Sequence, residues 1–231
     1  MFDRIAGRYD RANQWLSFGL HHRWRAAAVA RSGARPGDSV LDVATGTGDL
    51  ALAFARRVAP GGKVVGVDFV PRMIELARAK SARRGARVEY GLADALALPF
   101  ANATFDIASI AFGIRNVDDP ARGLAEMARV LRPGGRVVVL EFGQPTGVLF
   151  ASLYRLYSRA VMPLAGRILT GEADAYRYLP ETAERFPSAE RFLEVLRGAA
   201  GFARTEALIL TGGVAYVYVG TLPGTARPAG R

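Results

Sequence analysis

The chain has 231 residues, half of them hydrophobic, and a net charge of +10, which is enough length and apolar content for one α/β domain with its own core. It has no cysteine and only two histidines, His21 and His22, so disulfides, thiolate metal sites and cysteine nucleophiles are excluded and an imidazole metal cage is disfavoured. No apolar run is long and uncharged enough to span a bilayer, and the opening Met1-Phe2-Asp3-Arg4 does not read as a secretory signal.

Helical spacing opens the chain over Asp10 to Arg31, with a break near Ser17-Phe18-Gly19. Pro36-Gly37-Asp38 then turns into a strand, Ser39 to Val43. A helix over Asp49 to Val58 stops at Pro60-Gly61-Gly62, and a second strand runs from Lys63 to Val67. A helix over Pro71 to Arg84, with proline in its first turn, ends at Gly85. Short strands are expected at Arg87 to Tyr90 and Phe105 to Ala111. A helix from Pro120 to Leu131 ends at Pro133-Gly134-Gly135, before a fifth strand over Arg136 to Glu141.

To this point strands and helices alternate, and the strands are nearly continuous Val, Ile and Leu. That pattern predicts a parallel sheet covered by helices on both faces. The pattern then changes. Val148 to Leu169 is a long apolar, arginine-bearing stretch, read either as a wall or lid over a substrate or as an ordinary core helix. A helix follows over Ser188 to Ala199. Strands at Phe202 to Leu210 and Val214 to Val219, joined by Thr211-Gly212-Gly213, predict an antiparallel hairpin. The expected fold is α/β and Rossmann-like: a seven-stranded, mostly parallel sheet with an antiparallel C-terminal hairpin. One domain is expected over residues 1–220, with a helical N-terminal cover over 1–35, a helical insertion on the substrate side over 148–199 and a disordered tail over 221–231.

Chemistry concentrates where strands end. Asp42 lies in the first strand, which turns through Gly46 and Gly48 into a helix; Asp68 ends the second strand. This is a nucleotide-binding βαβ layout, in which glycines let a ligand approach the backbone and the second acid grips ribose hydroxyls. Gly46-x-Gly48-x-x-Ala51 with Asp68 nominally fits a dinucleotide site. Asp49 in the first turn of the helix would repel a pyrophosphate but tolerate a cationic, phosphate-free ligand such as S-adenosyl-L-methionine. Asp94, after the third strand, is either a turn former or an acceptor for an adenine amine, with Ala95 supplying a backbone N–H. Arg115 and Asn116 follow the fourth strand, where open sheets place ligands, and can orient a substrate oxygen.

The charge is almost all arginine, lysine occurring only at Lys63 and Lys80. The excess reads either as composition or as attraction to an anionic surface. A nucleic-acid-binding reading lacks interleaved aromatic and basic residues and leaves the acidic strand ends unexplained.

Tyr9-Asp10-Arg11-Ala12-Asn13-Gln14-Trp15-Leu16-Ser17-Phe18-Gly19-Leu20-His21-His22-Arg23-Trp24 resembles the N-terminal signature of the ubiquinone/menaquinone biosynthesis C-methyltransferases, class I enzymes dependent on S-adenosyl-L-methionine. Arg129-Val130-Leu131-Arg132-Pro133-Gly134-Gly135 through Phe142 resembles their second signature, and the likeness extends from Met1 to about Gly220. Ala12, Ala44, Ala111 and Gly143 depart from the usual residues.

The resemblance implies the cofactor S-adenosyl-L-methionine, no metal, and a polyprenylated quinol as substrate: demethylmenaquinol, or alternatively the benzoquinol of ubiquinone synthesis or another small molecule. It implies cofactor contacts from Gly46, Thr47, Asp42, Asp68, Asp94, Ala95 and Ala111, with Tyr9 closing over them, and a reacting ring facing Arg115 and Asn116. His21 and His22 are further titratable candidates near neutrality. A cytoplasmic protein touching the inner face of the membrane is the expected setting, with no nucleic-acid partner and the oligomeric state, a homodimer among the options, left open.

Overall fold

The computed structural model describes residues 19–145, 147, 152, 182 and 186–224. Among these residues, five helices and seven strands carry the architecture. In chain order they are α1 (Leu20–Arg31), β1 (Ser39–Val43), α2 (Asp49–Val58), β2 (Lys63–Asp68), α3 (Pro71–Arg83), β3 (Glu89–Leu92), β4 (Phe105–Ala111), α4 (Pro120–Arg129), β5 (Leu131–Phe142), α5 (Glu190–Ala199), β6 (Arg204–Leu210) and β7 (Ala215–Thr221). The sheet order is β3-β2-β1-β4-β5-β7-β6, with β1 to β5 parallel and β7 antiparallel to both neighbours.

The side-chain alternation of the strands divides the core in two. Val40, Val64, Ile107, Val138 and Leu140 face α1, α2 and α3, meeting Trp24, Phe54 and Ile74. Leu41, Val43, Ile110, Val137 and Val139 face α4 and α5, meeting Leu124, Met127, Phe192 and Leu196. Helices therefore cover both faces, as the continuous apolar strands require.

Two strands, β3 and β5, start well away from where the sequence pattern puts them. β3 lies two residues later than expected, because its pairing with β2 runs from Val65↔Glu89 to Asp68↔Leu92 and carries the strand through Gly91. β5 begins at Leu131, not Arg136: the Pro133-Gly134-Gly135 segment expected to end a helix is taken up as a register break against β4. Gly134 N–H donates to Pro223 O at 2.9 Å and Gly135 O accepts from Leu222 N–H at 2.9 Å, so backbone after β7 satisfies the irregular stretch. In the terminal hairpin, the Thr211–Gly213 turn brings β7 back between β5 and β6.

The chain passes from β1 outward to β2 and β3, then returns to the other side of β1 for β4 and β5. The crevice at that reversal, beyond the carboxyl ends of the strands, is where sheets of this kind place ligands. The segment over 1–18, and with it Tyr9, and nearly all of the expected Val148 to Leu169 helix lie outside the described residues. Among the described residues no helix is long and apolar enough to cross a membrane.

Candidate active site

The glycine loop is held from beneath by Asp42. This carboxylate is 1% exposed. Its Oδ2 accepts from Thr45 Oγ1 at 2.6 Å and its Oδ1 from Ser109 Oγ at 2.7 Å, and the Ala51 backbone N–H of α2 is a further hydrogen-bond donor to the group. Burial pushes its pKa up to about 6 against those hydrogen bonds. Asp42 was expected to contact a cofactor. The structure instead gives it to the protein: both oxygens are committed to fixing the loop, β4 and the start of α2.

The two loop glycines have different tasks. Gly46, at φ 57°, has open space where a side chain would stand, as a surface approached by a ligand requires. Gly48, at φ 85°, would drive a Cβ to 2.5 Å from the Tyr90 hydroxyl, which packs beneath the loop and pairs with Ser81 Oγ at 2.9 Å. Ala44, just before the loop, and Phe112, at the end of β4, both hold left-handed backbone, φ 49° and 55°. Non-glycine residues rarely adopt this conformation, and its cost is characteristic of functional loops.

Asp68 closes β2 beside Gly46. Its Oδ2 accepts from Gly46 N–H at 2.8 Å and its Oδ1 from Val70 N–H at 2.9 Å. Burial raises its pKa, and the backbone donors of Val70, Gly46 and Phe69 work in the opposite direction. Each oxygen retains acceptor capacity for a hydroxyl. Two exposed apolar side chains flank it: Phe69, 76% exposed, is the next residue, and Leu92 is its register partner on β3. Asp94 is exposed in the turn after β3, its Oδ1 accepting from Leu96 N–H at 2.8 Å, with Ala95 adjoining. Ala111 is half-buried at the end of β4. Gly46, Asp68, Asp94, Ala95 and Ala111 thus all fall at the carboxyl edge of the sheet.

Thr47 and Asp49 lead into a charged cluster. Lys80 Nζ on α3 donates to Thr47 Oγ1 at 2.7 Å and to Asp49 Oδ1 at 2.9 Å, and Arg25 Nη2 on α1 stands 3.3 Å from Asp49 Oδ2. Burial alone would raise the pKa of Asp49; Arg25 and Lys80 overcome it and hold the carboxyl below its ordinary value. Asp49, expected from the sequence to disfavour a pyrophosphate at this turn, is thus held between Arg25 and Lys80.

On the other flank, Arg115 lies in a short 3-10 turn, Ile114–Asn116, and is not open to a ligand as a cation at a strand end would be. Its side chain is 2% exposed and pairs with Glu141 of β5, itself 1% exposed. Arg115 also donates to Phe112 O at 3.1 Å and lies 5.3 Å over the Phe142 ring. Arg115 Nε and Glu141 Oε2 have no partner. Asn116, the next residue, is exposed. Trp24, Phe112 and Phe142 form an aromatic cluster beside the pair, with ring centroids 4.5 to 6.1 Å apart, and Trp24 Nε1 donates to Thr211 Oγ1 at 2.9 Å. His21 is buried on α1, its ring 3.9 Å from that of His22.

Sequence reasoning missed Arg25, Lys80, Glu141, Ser109 and Phe69. Only Phe69, directly after the strand-end acid, and Lys80, one of two lysines, carried any sequence signal.

The raised pKa of Asp42 has a pH consequence. A carboxyl whose folded pKa exceeds its unfolded value of 3.8 gives its stability contribution in full below that value and loses it as pH rises through about 6. Asp42→Asn cannot ionise. Its stability relative to the parent should therefore improve by about 2 kcal/mol between pH 4 and pH 7.5. Denaturant unfolding at the two pH values measures this; a pH-independent difference would contradict the environment assigned to Asp42.

The model of the ubiE/COQ5 methyltransferase family matches residues 1–222. The demethylmenaquinone methyltransferase of Thermus thermophilus is 50% identical over 224 residues, covering 96% of this chain and all of that one. The ubiquinone/menaquinone biosynthesis C-methyltransferase UbiE of Bdellovibrio bacteriovorus is 47% identical, covering 96% and 94%. Among solved structures, a SAM-dependent methyltransferase from Aquifex aeolicus superposes with a TM-score of 0.64 at 20% identity over 86% of this chain and 89% of that one, a likeness of fold. With a family match across nearly its whole length and relatives at half identity, the chain belongs to the ubiE/COQ5 methyltransferase family.

Proposed function

We propose that this chain transfers a methyl group from S-adenosyl-L-methionine to a ring carbon of demethylmenaquinol. It is a C-methyltransferase of quinone biosynthesis, as its family membership requires, and the naphthoquinol acceptor follows the names of its relatives from Thermus and Deinococcus. The observation that carries the reading is the Gly46–Asp68 corner: an open glycine position hydrogen-bonded to a strand-end carboxylate with acceptor capacity to spare.

The residues present fit an adenosyl ligand. Asp68 would take the ribose hydroxyls, Phe69 and Leu92 offer apolar surface for the base, and Asp94 with Ala95 would read its edge. Gly46, Thr47 and Ala111 would line the remainder, with Tyr9 closing over it. When bound, S-adenosyl-L-methionine supplies an already electrophilic methyl group. The chain must then orient the acceptor ring and stabilise negative charge on its neighbouring oxygen. Trp24, Phe112 and Phe142 supply an aromatic wall suited to a flat quinol ring. Asn116, exposed at the same edge, would donate to the quinol oxygen. Arg115 serves as a positioning residue: clamped by Glu141 and bonded to Phe112 O, it fixes the turn that presents Asn116.

The prenyl tail of such a substrate resides in a bilayer. We therefore place the working enzyme at the cytoplasmic face of the membrane, in transient contact with anionic lipid through its arginine excess.

Asp68→Ala should weaken S-adenosyl-L-methionine binding by about tenfold or more, since charge-assisted bonds to hydroxyls are worth roughly 1.5–3 kcal/mol each. Unchanged affinity by calorimetry in a folded variant would refute the assignment. The acceptor is tested by incubating the enzyme with demethylmenaquinol and with the demethylated benzoquinol and identifying the products by mass spectrometry; methylation of the benzoquinol alone would overturn the naphthoquinol reading.

Arg115→Ala strands a buried carboxylate and should cost about 3–5 kcal/mol of stability. Turnover should fall about a hundredfold, the scale of a misplaced reactive group, with cofactor affinity little changed. Replacing both partners, Arg115→Met with Glu141→Leu, should return most of the stability and little of the turnover. Recovery of both together in a denaturation and rate assay would reduce the pair to scaffolding.

A further inference from the structure

Four crossovers join the five parallel strands. Three carry a helix, α2, α3 and α4; the fourth, the strap over residues 93–104 from β3 to β4, carries none. A helix satisfies its own backbone, which is one reason parallel crossovers are usually helical. This strap has its backbone satisfied by a neighbour instead.

That neighbour is α4. Arg129, its last residue, donates from Nη1 to Phe100 O at 2.9 Å and Asn102 Oδ1 at 2.8 Å, and from Nη2 to Leu98 O at 2.9 Å. The same guanidinium holds Glu126 through Nε at 2.8 Å and Nη2 at 2.9 Å, and Glu126 Oε2 accepts from Leu98 N–H at 3.0 Å. Both backbone groups of Leu98 are therefore gripped by one ion pair, while its side chain is buried in the core that α4 covers. Below the grip, Ala103 N–H donates to Arg129 O at 3.3 Å, and Ala103 holds left-handed backbone at φ 55°. Above it, a Cβ on Gly123 would stand 4.0 Å from Ala95 O. Gly123, Glu126 and Arg129 recur every third residue and so share one face of α4, along which the strap runs.

The upper end of the strap is the turn that holds Asp94 and Ala95. Asp94 O accepts from Ala97 N–H at 3.1 Å and its Oδ1 from Leu96 N–H at 2.8 Å, so the turn closes one residue before Leu98. Glu126 and Arg129 are 22% and 32% exposed as side chains. An ion pair that wet adds little stability by itself. Its larger effect is on where the strap lies.

We propose that Glu126 and Arg129 are positioning residues for base recognition: by gripping the strap at Leu98, they set the Asp94–Ala95 turn against the edge of the adenine. The inference rests on the adenine reading of that turn given above. It adds that selectivity for the base depends on residues of α4 standing behind the turn.

The test compares two ligands by calorimetry. S-inosyl-L-homocysteine differs from S-adenosyl-L-homocysteine in carrying a carbonyl where adenine has its exocyclic amine. The parent protein should prefer the adenosyl ligand. Arg129→Gln should weaken the adenosyl ligand about tenfold, the worth of a displaced hydrogen bond to the base, and leave the inosyl ligand within about twofold. Arg129→Lys should behave like Arg129→Gln, since a point charge cannot bridge the carbonyls that the fork bridges. Glu126→Ala, which removes the acceptor for Leu98 N–H, should narrow the preference in the same direction and carries the test if Arg129→Gln does not fold. Binding of the inosyl ligand certifies that a variant is folded. A preference unchanged in these variants, or equal weakening of both ligands, would reduce the pair to scaffolding and overturn the proposal. If the parent shows no preference, or Asp94→Ala keeps it intact, the adenine reading of the turn fails first and takes this one with it.

Discussion

Asp42 is the point at which the pieces of this structure are tied together. A carboxylate with almost no access to water accepts from Thr45 in the loop and Ser109 in β4, with the Ala51 N–H of α2 as a third donor. Burying a carboxylate is expensive, and the cost is offset only while its donors stay in place. The loop is therefore not free to relax. The open face at Gly46, the bond from Gly46 to Asp68, and the left-handed backbone at Ala44 all depend on a loop fixed from below. Strain of that kind persists only where the surroundings over-determine it.

Around this fixed loop the charges sort by place. Acids end the strands on one side, at Asp68 and Asp94. Cations gather at the start of α2, at Arg25 and Lys80. A third pair, Arg115 and Glu141, is sealed inside on the far flank and nearly neutralises itself. Preorganised polarity of this sort spares the site reorganisation at the moment of reaction.

Most of the fold could be read from the sequence, because apolar runs, prolines and glycines report locally. β1, α2 and β4 lie where their patterns predict. The misplaced ends, at β3 and β5, were decided by pairing with strands distant in sequence. In β5 the Pro-Gly-Gly segment looks like a stop and becomes part of a strand only because Leu222 and Pro223 satisfy its backbone. The site divides in the same way. Gly46, Asp68 and Asp94 announce themselves by following strands. Arg115 was visible, but its partner was not: Glu141 is 26 residues further on, and nothing local in β5 marks it as the counter-charge. Arg25 was lost among many arginines, since only the packing of α1 on α2 brings it to Asp49.

The place of β7 has a consequence for how the molecule is made. This strand, last in chain order among those described, is inserted between β5 and β6, pairing Glu141 with Tyr216 and Phe142 with Ala215. During synthesis the first five strands can zip together as they emerge, but the outer side of β5 stays an open edge until β7 arrives. Glu141 and Phe142, which clamp Arg115 and build the aromatic wall, sit on that waiting edge. The part of the crevice around Gly46 and Asp68 can thus form on a nascent chain well before the part around Arg115. Until the closing strand docks, the nascent protein carries a long apolar edge of the kind that seeks partners in other chains.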